Sequence, residues 1–160
     1  AVRRPDLTYF AFTPMNNPLR YDALSVATEI ISTPAVPEQV YLQLPPGLDL
    51  MVGTHRDPQF GPVLVFGTGG QYVETYKDIE RVLIPATVAE LSAMVFKTCA
   101  GRIIRGVRGN PPLDVKRLIA FLQLIADWMD KESRLASMDF NPVRLYKDGL
   151  VVLDAKIIPM

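Results

Sequence analysis

One cysteine, Cys99, and one histidine, His55, stand in 160 residues. A lone thiol excludes an intrachain disulfide and any multi-cysteine metal centre. A lone imidazole excludes a multi-histidine site, and no Gly-x-Ser-x-Gly elbow is present for a serine nucleophile that would use it. Net charge is missing too, because 17 Lys and Arg balance 17 Asp and Glu. Zero balance gives no electrostatic case for nucleic acid or an anionic membrane surface. No apolar run reaches the length of a membrane span, and no signal-peptide pattern is seen. No Gly-x-x-x-x-Gly-Lys-Ser/Thr occurs, which excludes a P-loop. The expectation from these absences is a chain without nucleic-acid or membrane partners in a reducing, cytoplasmic setting.

What the chain does have is apolar content. A hydrophobic fraction of 49% supports a sizeable core in about one domain. The most informative stretch runs from Ser137 to Ile158. Asp148-Gly149 is a hairpin turn signal, because both positions tolerate positive φ. The strand before it carries Asp139 and Asn141 two apart, so both are expected on one face. The strand after it, Leu150 to Ile158, is apolar except for Asp154 and Lys156. Three oxygen-bearing side chains on core-like strands suit a hard divalent cation such as Mg²⁺. On the spacing alone the plainer reading is preferred, that Asp154 pairs with a neighbouring Lys or Arg or sits at a strand end in solvent.

The rest of the chain reads in order. Ala1 to Asp6 is a peripheral start, and Leu7 to Phe12 is an aromatic strand. A helix follows from Asp22 with Leu24, Ala27, Ile30 and Ile31 on one face, ended by Pro34 and Pro37. Gln39 to Leu44, Leu48 to Arg56, Val63 to Phe66 and Ile79 to Ile84 read as further strands. Between them lies Gly67-Thr68-Gly69-Gly70, a turn that either offers N–H groups to a phosphate or simply serves hairpin geometry. Thr87 and Glu90 form a capping box for a helix that Gly101 is expected to end. Arg102, Arg105 and Arg108 make a local cationic loop, for which the solvated reading is preferred over anion recognition. Leu113 to Met129 is the strongest helical pattern. The order predicts an α+β domain with a mostly antiparallel sheet and helices packed on one side.

Six segments, in this order, carry a family resemblance. They are Asp49 to Gly53, His55 to Val63 (HRDPQFGPV), Phe66 to Glu74 (FGTGGQYVE), Arg105 to Asp114 (RGVRGNPPLD), Met138 to Val143 (MDFNPV) and Leu153 to Lys156 (LDAK). The stretch from Gln39 to Ile158 thereby resembles the ATP-grasp domain of NDP-forming acyl-CoA synthetases, the ADP-forming acetyl-CoA synthetases above all, with succinyl-CoA synthetase β subunits more distant. The resemblance implies an ATP-grasp-like fold. Residues 45–160 would be its large subdomain, and residues 1–44 (strand, helix, strand) an incomplete remnant of the small one.

The resemblance also implies roles. Asn141 and Asp154 match the two Mg²⁺ ligands. Asp139 matches an acid near the phosphohistidine loop when that loop swings toward the nucleotide, and Arg56 an arginine facing the phosphates or the reacting group; both are expected catalytic residues. Asp49, Gly67, Gly69 and Gly70 match positions that hold ATP or ADP. The reaction implied is acyl-CoA plus ADP and phosphate to acid, CoA and ATP, by way of an acyl phosphate and a phosphohistidine.

Two departures temper that implication. The strand lysine of the small subdomain has no counterpart, and none of Lys77, Lys97, Lys116, Lys131, Lys147 or Lys156 is placed to substitute. His55 does not match the phosphohistidine. The expectation is therefore an acid–CoA ligase (ADP-forming) component that is inactive alone and needs a CoA-binding subunit or domain. The alternative is a non-catalytic ATP-grasp remnant used for assembly or regulation. Uncovered strand edges predict a homo- or hetero-oligomer in either case.

Overall fold

The structure is a computed structural model that describes residues 46–70, 78–107 and 109–160. The expected elements within residues 1–44, the segment 71–77 and Arg108 lie outside the described residues. In chain order come β1 (Leu48–Asp57), β2 (Gly61–Thr68), β3 (Ile79–Leu83), α1 (Val88–Lys97), α2 (Cys99–Ile104), α3 (Val115–Lys131), β4 (Leu135–Leu145), β5 (Leu150–Val152) and β6 (Ala155–Pro159). The strands form one sheet in the order β3-β2-β1-β4-β5, with β6 also paired to β4. Every pairing is antiparallel, as expected from the sequence.

Strand alternation decides which face is which. Leu50, Val52 and Thr54 of β1 are buried together with Leu64 and Phe66 of β2 and Met138, Phe140, Val143 and Leu145 of β4. That face meets the helices through Leu91, Met94 and Val95 of α1, Ala100 and Ile104 of α2, and Leu118, Leu122, Ile125, Ala126 and Met129 of α3. The α3 residues recur at helical spacing, so one stripe of the helix is buried along its length. Phe121 meets Phe140 edge to face at 5.7 Å between centroids.

The ends of the helices are set locally. Thr87 and Glu90 make the expected capping box. Asp114 caps α3 by accepting from the Arg117 N–H, which puts its start two residues after the expected Leu113. Gly101 does not end the first helix. Thr98 does, and its hydroxyl then accepts from the Gly101 N–H to open α2. Gly101 lies inside α2, where a Cβ would collide with the Val95 carbonyl.

The β4–β5 hairpin turns at Asp148-Gly149 with the Tyr146 N–H donating to the Gly149 carbonyl at 2.8 Å. Its second arm is not one strand. It breaks at Leu153-Asp154, opposite Asn141-Pro142, where the register of β4 against β1 also shifts. Phe140 and Val143 both face the helices although they are three apart, so β4 carries one extra residue there, a β-bulge. The Asn141 N–H donates to the Asp154 carbonyl at 3.2 Å, and the Leu153 N–H to the Pro142 carbonyl at 3.0 Å, which locks the bulge to the break.

Candidate functional site

The face of the sheet away from the helices holds the acids. Cross-strand partners share a face, so Arg144, Asp49 and Gly53 opposite Asp139 and Lys156 can be read from the registers. Asp139 lies near the bare Gly53 on β1; a Cβ built there would come 4.0 Å from its Oδ1. Asp139 is exposed, yet its proton affinity is raised, first by desolvation and then by the Asp154 charge, against which the Lys156 ammonium works. Two carboxylates thus crowd one corner, with only partial relief.

Asn141 joins them through the bulge. Its Oδ1 accepts from the Gly70 N–H at 3.1 Å, which ties the β4–β5 hairpin to the glycine turn. An amide oxygen has two lone pairs, so one is left for a further partner. Asp154 is exposed and anchored by its own carbonyl to Asn141. The expected metal pair, Asn141 and Asp154, is therefore brought together, and Asp139 with it. Among the described residues no group of three or more His, Cys, Asp or Glu could hold a metal by itself. A hard cation here would draw the rest of its shell from outside the chain.

The glycine turn has a structural use in this geometry. The Thr68 N–H donates to the Asp78 carbonyl, Gly69 to Asp49 and Gly70 to Asn141. These donors are engaged by the protein, so of the two readings of the turn the backbone one accounts for them. A Cβ at Gly67 would strike the Asp78 carbonyl, and one at Gly69 the Leu50 backbone. Asp49 stands beside Gly70, but Arg144 holds both its oxygens, Nε to Oδ1 at 2.6 Å and Nη2 to Oδ2 at 2.9 Å. The bond raises the proton affinity of Arg144 through Asp49 above all.

Arg56 is placed elsewhere. It shares the helix-facing side of β1 with Leu50, Val52 and Thr54, so it is on the opposite face from Asp139. Its Nε donates to the Leu135 carbonyl at 2.8 Å, and its Nη2 to those of Met129 at 2.8 Å and Glu132 at 3.0 Å. It closes the C-terminal end of α3 rather than facing the acids. Of the expected cationic loop, Arg102 lies within α2 and donates to the Cys99 sulfur, and the Arg105 guanidinium sits 4.0 Å over the Phe96 ring.

Sequence reasoning passed over Asp78. Its Oδ1 accepts from the Cys99 N–H at 2.7 Å, and its Oδ2 from the Ala100 N–H at 3.1 Å and the Thr68 hydroxyl at 2.6 Å. It joins the end of β2 to the start of α2. Burial alone would raise its proton affinity, but these hydrogen bonds together hold the carboxyl below its ordinary 3.8. Asp78→Asn is expected to cost about 1–2 kcal/mol at pH 7 through the lost acceptors. A depressed folded value means that the stabilisation is present above the ordinary value and is lost as pH falls through the lower one. The gap between wild type and variant in urea melts should therefore close in strong acid. A gap that persists undiminished at pH 2 would refute the charged tie.

An antiparallel sheet, helices on one face, and acids gathered with a glycine turn on the other together define a class. A family model described as an ATP-grasp domain matches residues 26–158, and the chain belongs to this family. Within it, the chain is 38% identical over 112 residues to acetate–CoA ligase (ADP-forming) I of Archaeoglobus fulgidus, covering 70% of this chain and 16% of that protein. It is 33% identical over 119 residues to the β subunit of acetate–CoA ligase (ADP-forming) I of Pyrococcus furiosus, covering 74% and 51%. Among solved structures it is similar to the dinucleotide-forming acetyl-coenzyme A synthetase 1 of Ca. Korarchaeum cryptofilum in complex with coenzyme A and Mg-AMPPCP. The TM-score is 0.70 at 35% identity, over 73% of this chain and 55% of that one. The chain spans about half the length of the β subunit it matches, and a far smaller share of the longer ligase. Among the described residues no helix is long and apolar enough to cross a membrane.

Proposed function

We propose that this chain is the nucleotide- and Mg²⁺-binding part of an NDP-forming acyl-CoA synthetase, a cytoplasmic acid–CoA ligase (ADP-forming) that works with a CoA-binding chain or domain. The observation that carries the reading is the gathering of Asn141, Asp154 and Asp139 on one sheet face beside the glycine turn. Asn141 and Asp154 are hard oxygen donors and fit Mg²⁺, which when bound would offset charge on phosphate oxygens. Gly70 orients the Asn141 amide, and the bulge carries that amide to the same corner as Asp154. Asp139, the third oxygen group there, matches the acid that the family resemblance sets near a phosphohistidine loop. The likeness to a structure in complex with coenzyme A and Mg-AMPPCP supports the same reading.

Titration calorimetry of the full chain with Mg·ADP tests it. Wild type should bind, and Asp154→Ala should weaken binding at least tenfold, since one of two protein ligands is gone. No binding by wild type, even with a candidate CoA-binding subunit present, would overturn the proposal. That outcome would favour the alternative of a non-catalytic assembly module, a reading to which the protein-engaged amides of the glycine turn lend some support.

A further inference from the structure

The acids of the site account for a cation, but not for the anion that has to sit beside it. Besides the imidazole of His55, three side chains with a fixed positive charge belong to the site face by register. Arg144 is held by Asp49. Arg81 lies in the same cross-strand row as Asp139, but Val65 and Gly53 intervene, a distance of about 14 Å at ordinary strand spacing. Lys156 is directly opposite Asp139 on β6. It is exposed and enters none of the ion pairs formed among the described residues. On the other side of Asp139, Gly53 carries no side chain, so on that side no β1 side chain covers Asp139.

We propose that Lys156 is the residue of this site that takes a phosphate oxygen of the bound nucleotide. The inference deepens the function proposed above and rests on it. Two carboxylates without a cation beside them repel a phosphate; Lys156 offsets one of them and presents three rotatable donors on a flexible stem. The corner then has a division of labour: Asn141 and Asp154 face the metal, and Lys156 faces the anion. This is a different position from the strand lysine of the small subdomain. The plain alternative is an edge-strand lysine that discourages pairing with another chain, since β6 is paired only to β4 among the described strands.

The two uses differ in the sign of what they predict. Removing an anion-facing lysine weakens a phosphate ligand and strengthens a bare cation, because the carboxylates lose their competitor. The experiment uses the full chain as wild type, Lys156→Met and Lys156→Arg, with Lys156→Gln in reserve should Lys156→Met fail to fold. Each is titrated with ADP in excess chelator, with Mn²⁺ alone and with Mg·ADP. Lys156→Met is expected to bind metal-free ADP about tenfold more weakly and Mn²⁺ about two- to threefold more tightly, while Lys156→Arg keeps ADP within about twofold of wild type. If wild type binds ADP or Mg·ADP and Lys156→Met binds both as well, the assignment of Lys156 is overturned and the function stands. If wild type binds neither, the function falls and this assignment with it.

Discussion

Arg56→Met should lower the stability of this chain by about 3 kcal/mol, which for a domain of this size is a fall of roughly 10 °C in the thermal midpoint. The guanidinium is half-buried and donates to three carbonyls, those of Met129 and Glu132 at the end of α3 and that of Leu135 at the start of β4. The first two are among the groups that a helix C-terminus leaves without intrahelical partners. A cation there also faces the negative end of the helix dipole. Methionine fills the volume but removes all three donors; the Glu132 carbonyl keeps the Leu135 N–H, while those of Met129 and Leu135 lose the guanidinium on the helix side of the sheet. Arg56→Lys should recover less than half of the loss, because a single ammonium does not reproduce the planar fork. The resemblance implied instead that Arg56 faces the nucleotide phosphates. That role predicts the reverse pattern: unchanged melting and a large loss of Mg·ADP affinity. Finding that pattern would remove the structural assignment of Arg56.

Parity explains why the two accounts of Arg56 diverge. It stands an even number of residues from Leu50, Val52 and Thr54, so simple alternation already puts it on the helix side; the resemblance drew attention to its chemistry and away from its face. Elsewhere, what was legible was local. The Thr87–Glu90 capping box, the Asp148-Gly149 turn and the apolar stripe of α3 each depend on residues within a few positions of one another, and each is where the pattern put it. What was hidden depends on pairing. The break at Leu153-Asp154 exists because β4 carries an extra residue opposite it, and no spacing within the second arm announces that. The Asp49–Arg144 bond joins residues 95 apart and needs the β1–β4 register to be known. Gly101 looked like a helix stop because glycine often is one, yet here it lets α2 pack against the Val95 carbonyl. The site shows the same split. Asn141 and Asp154 were singled out from their family segments, and the structure sets their backbones side by side, which leaves their role toward a metal a proposal. Lys156 became visible only once its position across from Asp139 was known.

The glycine turn at the end of β2, which touches the β4–β5 hairpin through Asn141, gives the second large effect. Gly69→Ala should cost about 3 kcal/mol, because its Cβ would meet the Leu50 backbone, which cannot rotate away as a side chain would. The Gly69 N–H also donates to the Asp49 carbonyl at 2.9 Å, so relief by moving Gly69 outward breaks a bond that joins the turn to β1. Gly61→Ala is the control. Gly61 has a φ of 81° but open space around its would-be Cβ, so its cost is the left-handed conformation alone, roughly 1 kcal/mol. Urea melts of the two variants should therefore differ by about 2 kcal/mol. The difference has a functional consequence, because Gly70 follows Gly69 and its N–H holds the Asn141 amide. Displacing the turn should release Asn141, so Gly69→Ala should lose Mg·ADP affinity in the protein that remains folded, while Gly61→Ala keeps it. Equal melts for the two alanine variants would mean that the turn is not pressed against β1, and the expected transmission of the Gly69 substitution to Asn141 would then lack its cause.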